Sequence, residues 1–107
     1  MTTDVSTRIA PCGAGRGKLT LRQLECFIHV AERGSINRAA AELQVAQSAV
    51  TRQIQALETC LGATLLERSA KGVQLTAQGR RILECGQGIL RMVVEIRWAL
   101  AGSSACR

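Results

Sequence analysis

The chain has 107 residues, room for one domain of ordinary size. Apolar residues make up 47% of it and aromatic ones only 2%, so its core is aliphatic, which suits packed helices better than a sheet sandwich. No 18-residue apolar run and no hydrophobic leader occurs, and Cys12, Cys26, Cys60, Cys85 and Cys106 lie at least 14 positions apart, which excludes metal and redox motifs of the Cys-x-x-Cys type.

The odd number of scattered cysteines points to free thiols in a reducing cytoplasm. Net charge is +6, yet Leu19 to Thr76 holds six basic and five acidic residues. The excess sits in the first 18 residues and after Ala77. Charge alone therefore does not identify a polyanion partner; placement must.

Residues 1–18 carry Gly13, Gly15, Gly17 and Pro11 and no periodic apolar face, so they read as a flexible basic tail. Order is expected from Leu19. Thr20 to Gln23 fits a capping box, with Leu19 and Leu24 placed for a hydrophobic staple. Leu21, Leu24, Ile28 and Ala31, with Phe27 beside them, form the stripe of a first helix over about 21–33, stopped by Gly34. Ser35 caps a short second helix, about 36–43, whose run Ala39-Ala40-Ala41 permits close approach. After Gln44-Val45-Ala46 a third helix spans about 47–61, buried along Val50, Ile54, Leu57 and Leu61 and ended by Gly62.

The period then changes. Residues 64–68 and 73–75 are short strand candidates around Ser69-Ala70-Lys71-Gly72, a hairpin in which Gly72 supplies a positive φ. Thr76 caps a last helix running to about Ala101. Its positions Ile82, Gly86, Ile89, Val93, Ile96 and Leu100 alternate steps of four and three, the spacing of a coiled-coil seam. At about 1.5 Å per residue such a helix outruns a body this small, so part of its stripe calls for a partner. Gly86 and Gly88 weaken the helix, which implies close contacts there. Residues 102–107 form a short tail. The fold class is mostly α: a winged helix-turn-helix over 19–75 and a linker helix over 76–101.

Two unequal helices around a three-residue break, packed through Ala40, Leu43, Val45 and Val50, form a helix-turn-helix pattern. Opposite the buried stripe of the third helix stand Ser48, Thr51, Arg52 and Gln55, with Gln47 at its start. Hydroxyl, amide and guanidinium groups match base edges in the major groove, Arg52 bidentate to guanine and Gln47 or Gln55 to adenine. An ordinary solvated face carries glutamate and lysine; from Val45 to Leu57 no acidic residue occurs. Arg68 and Lys71 on the hairpin suit phosphates or a minor groove. Ser35 and Arg38 are candidates for further backbone contacts, and Arg80 and Arg81 weaker ones.

The runs Leu24 to Ala40, Leu43 to Glu58, Leu61 to Arg68 and Leu75 to Gly79 resemble the LysR-type transcriptional regulators. That resemblance implies a winged helix-turn-helix and a homodimer through the linker helix, sometimes a tetramer. It implies sequence-specific binding to double-stranded, interrupted-palindrome promoter DNA. The reading residues it carries over are Gln47, Ser48, Thr51 and Arg52, with Arg68 and Lys71 in the wing. Ala46 departs from the usual serine and loses a helix cap; Leu66 replaces the usual phenylalanine. The family's effector-binding domain of two α/β lobes has no counterpart in these residues, so no small-molecule site is expected in this chain.

An enzyme lacks its parts here. His29, the only histidine, sits beside core candidates, and no phosphate loop, paired carboxylates or Cys–His pair occurs; Glu58 reads as a hydrogen-bond acceptor near the hairpin. No metal, cofactor or membrane partner is expected. The rival is a winged-helix module that binds protein instead of DNA, which calls for an apolar or mixed-charge third helix.

Overall fold

The computed structural model describes residues 17–101. The expected tails, apart from Gly17 and Lys18, lie outside the described residues, as do Cys12 and Cys106. Among the described residues, four helices and one hairpin follow in order: α1 (Leu21–Arg33), α2 (Ile36–Leu43), α3 (Gln47–Leu61), β1 (Leu66–Ser69), β2 (Gly72–Leu75) and α4 (Ala77–Ala101).

Local chemistry sets the helix ends. The Thr20 hydroxyl accepts the Gln23 N–H at 3.1 Å while the Gln23 side chain accepts the Thr20 N–H at 3.1 Å, a reciprocal capping box. Gly34 and Gly62 close α1 and α3 in the left-handed region, where a side chain is strained. Ser35 accepts the Arg38 N–H at 3.2 Å and so starts α2. Gln44 ends it at φ 60°, the one non-glycine with positive φ among the described residues.

The core is aliphatic around one ring. Leu24, Cys26, Phe27, Ile28 and Val30 of α1 meet Ala39 and Ala40 of α2, Val50, Ile54 and Leu57 of α3, and Leu65. Ile36, Leu43, Val45, Leu61 and Leu75 close its edges. The buried face of α1 keeps Leu24, Phe27 and Ile28 of the expected stripe and widens to take in Cys26 and Val30. Leu21 and Leu19, at the start of the helix, remain 49% and 43% exposed. Burial pushes the Cys26 thiol above its ordinary value, with Arg22 lowering and Glu25 raising it.

The first strand begins two residues later than its alternation suggests, and the second one residue earlier. β1 pairs antiparallel with β2 from Leu66↔Leu75 to Ser69↔Gly72, leaving Ala70 and Lys71 as the turn. Gly72 does adopt a positive φ, 115°. Residues 64 and 65 lie outside the ladder because side chains of other elements take their backbone groups: Glu58 holds the Leu65 N–H and Thr76 the Thr64 carbonyl.

Helix α4 corrects part of the expected seam. Gly86 is buried against its own chain: a Cβ there would lie 2.9 Å from Ile28 Cδ1 and 3.6 Å from Leu24 Cδ2. Ile82, with Leu83 and Leu90, likewise packs on the core. The first half of the stripe thus serves to dock α4 on α1. The apolar residues left open follow it: Ile89 (39% exposed), Met92, Val94, Ile96 (63%), Trp98 and Leu100 (90%), with Val93 half-buried. Gly88 meets nothing within 4 Å, so no contact explains it.

Candidate nucleic-acid interface

Helix α3 is held from behind and open in front. Val50 and Leu57 are fully buried and Ile54 nearly so, which fixes the helix without using its outer side. On that side Gln47, Ser48, Arg52 and Gln55 are exposed and Thr51 is half-buried. Among the described residues, none of these five side chains forms a hydrogen bond or ion pair with protein. The face presents two amides, two hydroxyls and one guanidinium, with no acidic residue in its first turn.

The start of α3 is bare. Ala46 stands at the N-cap with φ −72° and ψ 151° and makes no side-chain hydrogen bond. A serine fits that extended backbone and would accept an amide N–H of the first turn. Ala46→Ser should therefore raise the free energy of unfolding by about 0.5–2 kcal/mol, measured by denaturant unfolding. An unchanged midpoint would mean that water already satisfies the free N–H groups equally well.

The hairpin leans toward the start of α2. Gly34, Ser35, Ile36 and Asn37 share a shallow open cleft with Arg68 through Val73. A Cβ at Gly72 would lie 3.3 Å from the Gly34 carbonyl oxygen, so the second strand passes close to the α1–α2 turn. Ser35, Arg68 and Lys71 are thus brought to one cleft. Arg38 is exposed one turn along α2, outside that lining. The Ser69 hydroxyl accepts the Lys71 N–H at 3.2 Å and shapes the tip. Strand alternation points Glu67 and Arg68 to opposite faces of the hairpin, so the carboxylate does not neutralise its neighbour directly. Asn37 belongs to this cleft and escapes sequence reasoning, since its place depends on the hairpin folding back.

The reading face and the cleft do not merge completely. Gln55 lies just past the middle of α3, where it lines a second shallow depression with Glu58, Thr59, Gly62, Ala63 and Thr64. Two acidic groups elsewhere pair with basic side chains: Glu25 with Arg22, and Glu42 with Arg33. Glu42 accepts from Arg33 Nε at 2.7 Å and lies 3.9 Å from His29 Nε2, which ties α1 to α2. His29, half-buried, places Nδ1 2.9 Å from the Glu25 carbonyl oxygen. Among the described residues no group of His, Cys, Asp or Glu could hold a metal ion, and no helix is long and apolar enough to cross a membrane.

Comparison with known proteins agrees with this architecture. The model of the bacterial regulatory helix-turn-helix protein, lysR family, matches residues 21–80. The transcriptional regulator TcbR of Pseudomonas sp. (strain P51) is 50% identical over 74 residues, covering 69% of this chain and 25% of that protein. The chain spans about a quarter to a third of the length of the curated relatives it matches first. Among solved structures, full-length CbnR complexed with its target DNA superposes with a TM-score of 0.69 at 48% identity, covering 72% of this chain and 27% of that one. The BenM DNA-binding domain in complex with catB site 1 DNA superposes at 0.74 and 35% identity, covering 78% and 92%. Winged fold, motif order and matched residues agree: this chain belongs to the LysR family of bacterial helix-turn-helix regulators.

Proposed function

We infer that this chain binds double-stranded DNA at specific promoter sites and regulates transcription. It would place α3 in the major groove and the β1–β2 wing on flanking phosphates or in the adjacent minor groove. One observation carries the reading: a helix whose back is locked into the core offers Gln47, Ser48, Thr51, Arg52 and Gln55 with no protein partner for any of them among the described residues. Unpaired side-chain donors and acceptors on a rigid helix suit base edges, and they do not suit a protein surface that buries apolar groups. Relatives solved with their DNA support the same reading. Ser35, Arg38, Arg68 and Lys71 take the positioning role, since phosphate contacts set register without reading sequence.

The site is completed by pairing two chains through the open half of α4, Ile89, Val93, Ile96 and Leu100. Two copies of α3 then meet successive major grooves of a pseudo-palindrome, and pairs of dimers extend this to a tetramer. The working compartment on this reading is the cytoplasm. Selection of bound fragments from a random double-stranded pool tests it, with two related half-sites about one helical turn apart as the expected result. Recovery of no enriched sequence at low salt would refute sequence reading. Arg52→Ala should weaken the selected site by about 1–3 kcal/mol and relax preference at one base pair per half-site, read by competition binding. Equal weakening on every sequence would instead make Arg52 a phosphate contact.

A further inference from the structure

The reading helix and the wing are joined through the side chain of Glu58. It stands one turn before the end of α3, and its Oε2 accepts the Leu65 N–H at 2.8 Å and the Leu66 N–H at 3.2 Å. Both bonds fall on the same oxygen. Leu66 begins β1, so the grip is at the root of the wing, two residues before Arg68. Thr76 holds the same segment from the other side: its hydroxyl donates to the Thr64 carbonyl at 2.6 Å, and its N–H donates to the Leu65 carbonyl at 3.0 Å. Leu65 itself is fully buried below. The strap of residues 64–66 is therefore fastened to α3 by one carboxylate and to the start of α4 by one hydroxyl.

We propose that Glu58 is a positioning residue for DNA binding: its carboxylate fixes the angle between α3 and the wing, so that Arg68 and Lys71 reach the duplex backbone when α3 is in its groove. The proposal rests on the DNA-binding reading above and adds the residue that couples its two parts. Geometry and simple electrostatics give opposite orders for two mild substitutions, which makes the coupling testable. Glu58→Gln removes a negative charge but keeps an oxygen where Oε2 stands, and one oxygen accepts both bonds. Glu58→Asp keeps the charge but is one methylene shorter and cannot reach the Leu65 and Leu66 amides without moving the strap. If Glu58 acted only through its charge, Gln would tighten binding to a polyanion and Asp would leave it unchanged. If it positions the wing, Asp weakens binding and Gln does not.

The test measures binding of the whole chain to mixed-sequence double-stranded DNA across a range of salt concentrations, for the unmodified chain, Glu58→Asp, Glu58→Gln and Arg68→Ala/Lys71→Ala. Circular dichroism first fixes a temperature at which each is folded. Glu58→Asp should bind several-fold more weakly, with a log–log salt slope shallower by about 1–2, the contribution of two phosphate contacts. Glu58→Gln should keep the original slope. Added to Arg68→Ala/Lys71→Ala, the aspartate should have no further effect on binding. Equal weakening in that background would overturn the proposal and make Glu58 a prop for the fold alone, as would native-like binding by Glu58→Asp. A slope unchanged by Arg68→Ala/Lys71→Ala would sink it from another side, by showing that the wing does not touch DNA. Amide exchange at Leu65 and Leu66, followed without DNA, keeps the joint separate from the binding reading. Faster exchange in Glu58→Asp alone marks the joint as real even where no DNA binds, and in that case its role is structural and the proposal fails.

Discussion

Gly79→Ala is expected to lower the stability of the domain by about 3 kcal/mol, at the upper end of what overpacking costs. In a domain of this size that is a fall on the order of 15 °C in melting temperature. Gly79 is buried in the first turn of α4, and its N–H donates to the Thr76 hydroxyl at 2.9 Å. A methyl group there would overlap the Leu65 carbonyl oxygen, lie 3.0 Å from the carbonyl carbon and meet Leu75 Cδ2 at 3.1 Å. Two of those atoms are backbone, and they belong to the strap already pinned by Glu58 and Thr76. Neither side can yield without breaking hydrogen bonds. Gly88→Ala on the same helix is the control of opposite sign: nothing lies within 4 Å of its Cβ, so the gain in helix propensity, about 1 kcal/mol, stands alone. Thermal unfolding of the two variants should move in opposite directions. A native melting temperature for Gly79→Ala would mean that α4 enters the body by a different path, and the joint between wing and linker helix would have to be redrawn.

How far the sequence could be read follows from which forces are local. Both ends of α1, the start of α2 and the end of α3 are set by Thr20, Gly34, Ser35 and Gly62, residues that act on their own neighbours, and they fall where the caps place them. The outward face of α3 follows as directly from the Val50, Ile54, Leu57 spacing. Strand limits did not follow, because residues 64 and 65 are claimed by Glu58 and Thr76 across the fold, and alternation carries no trace of such partners. Gly79 enters only through the family motif; the physical reason for it, a carbonyl of a distant strap, needs coordinates. The seam of α4 shows the limit most clearly. A four–three spacing says that a stripe is buried and is silent on what buries it. Its first half is covered by the same chain, Ile82 by the core and Gly86 by α1. The cleft that Asn37 and Ser69 share is hidden for the same reason, since it forms only when the hairpin folds back onto α2.

That division of α4 makes Ile96→Asp the sharper probe of pairing. Ile96 is 63% exposed in the single chain, so an aspartate there costs the isolated fold little. Asp at Ile82 would instead unfold the domain and teach nothing about association. At a paired seam, however, the carboxylate would be driven into apolar contact with no partner, a cost of several kcal/mol. The chain should therefore sediment as a monomer at concentrations where the unmodified chain is a dimer. Loss of the dimer removes the linked second half-site, and avidity of that kind is worth roughly 10²–10⁴ in apparent affinity. Binding to a two-half-site duplex should fall by that order while binding to an isolated half-site stays near its native, weak value. Trp98→Ala supplies the directional control, since at 100° per residue it lies roughly 160° around the helix from Ile96. If Trp98→Ala dissociates the dimer and Ile96→Asp does not, the pairing surface is the opposite flank of α4, and the four–three stripe marks only how the helix docks on its own domain.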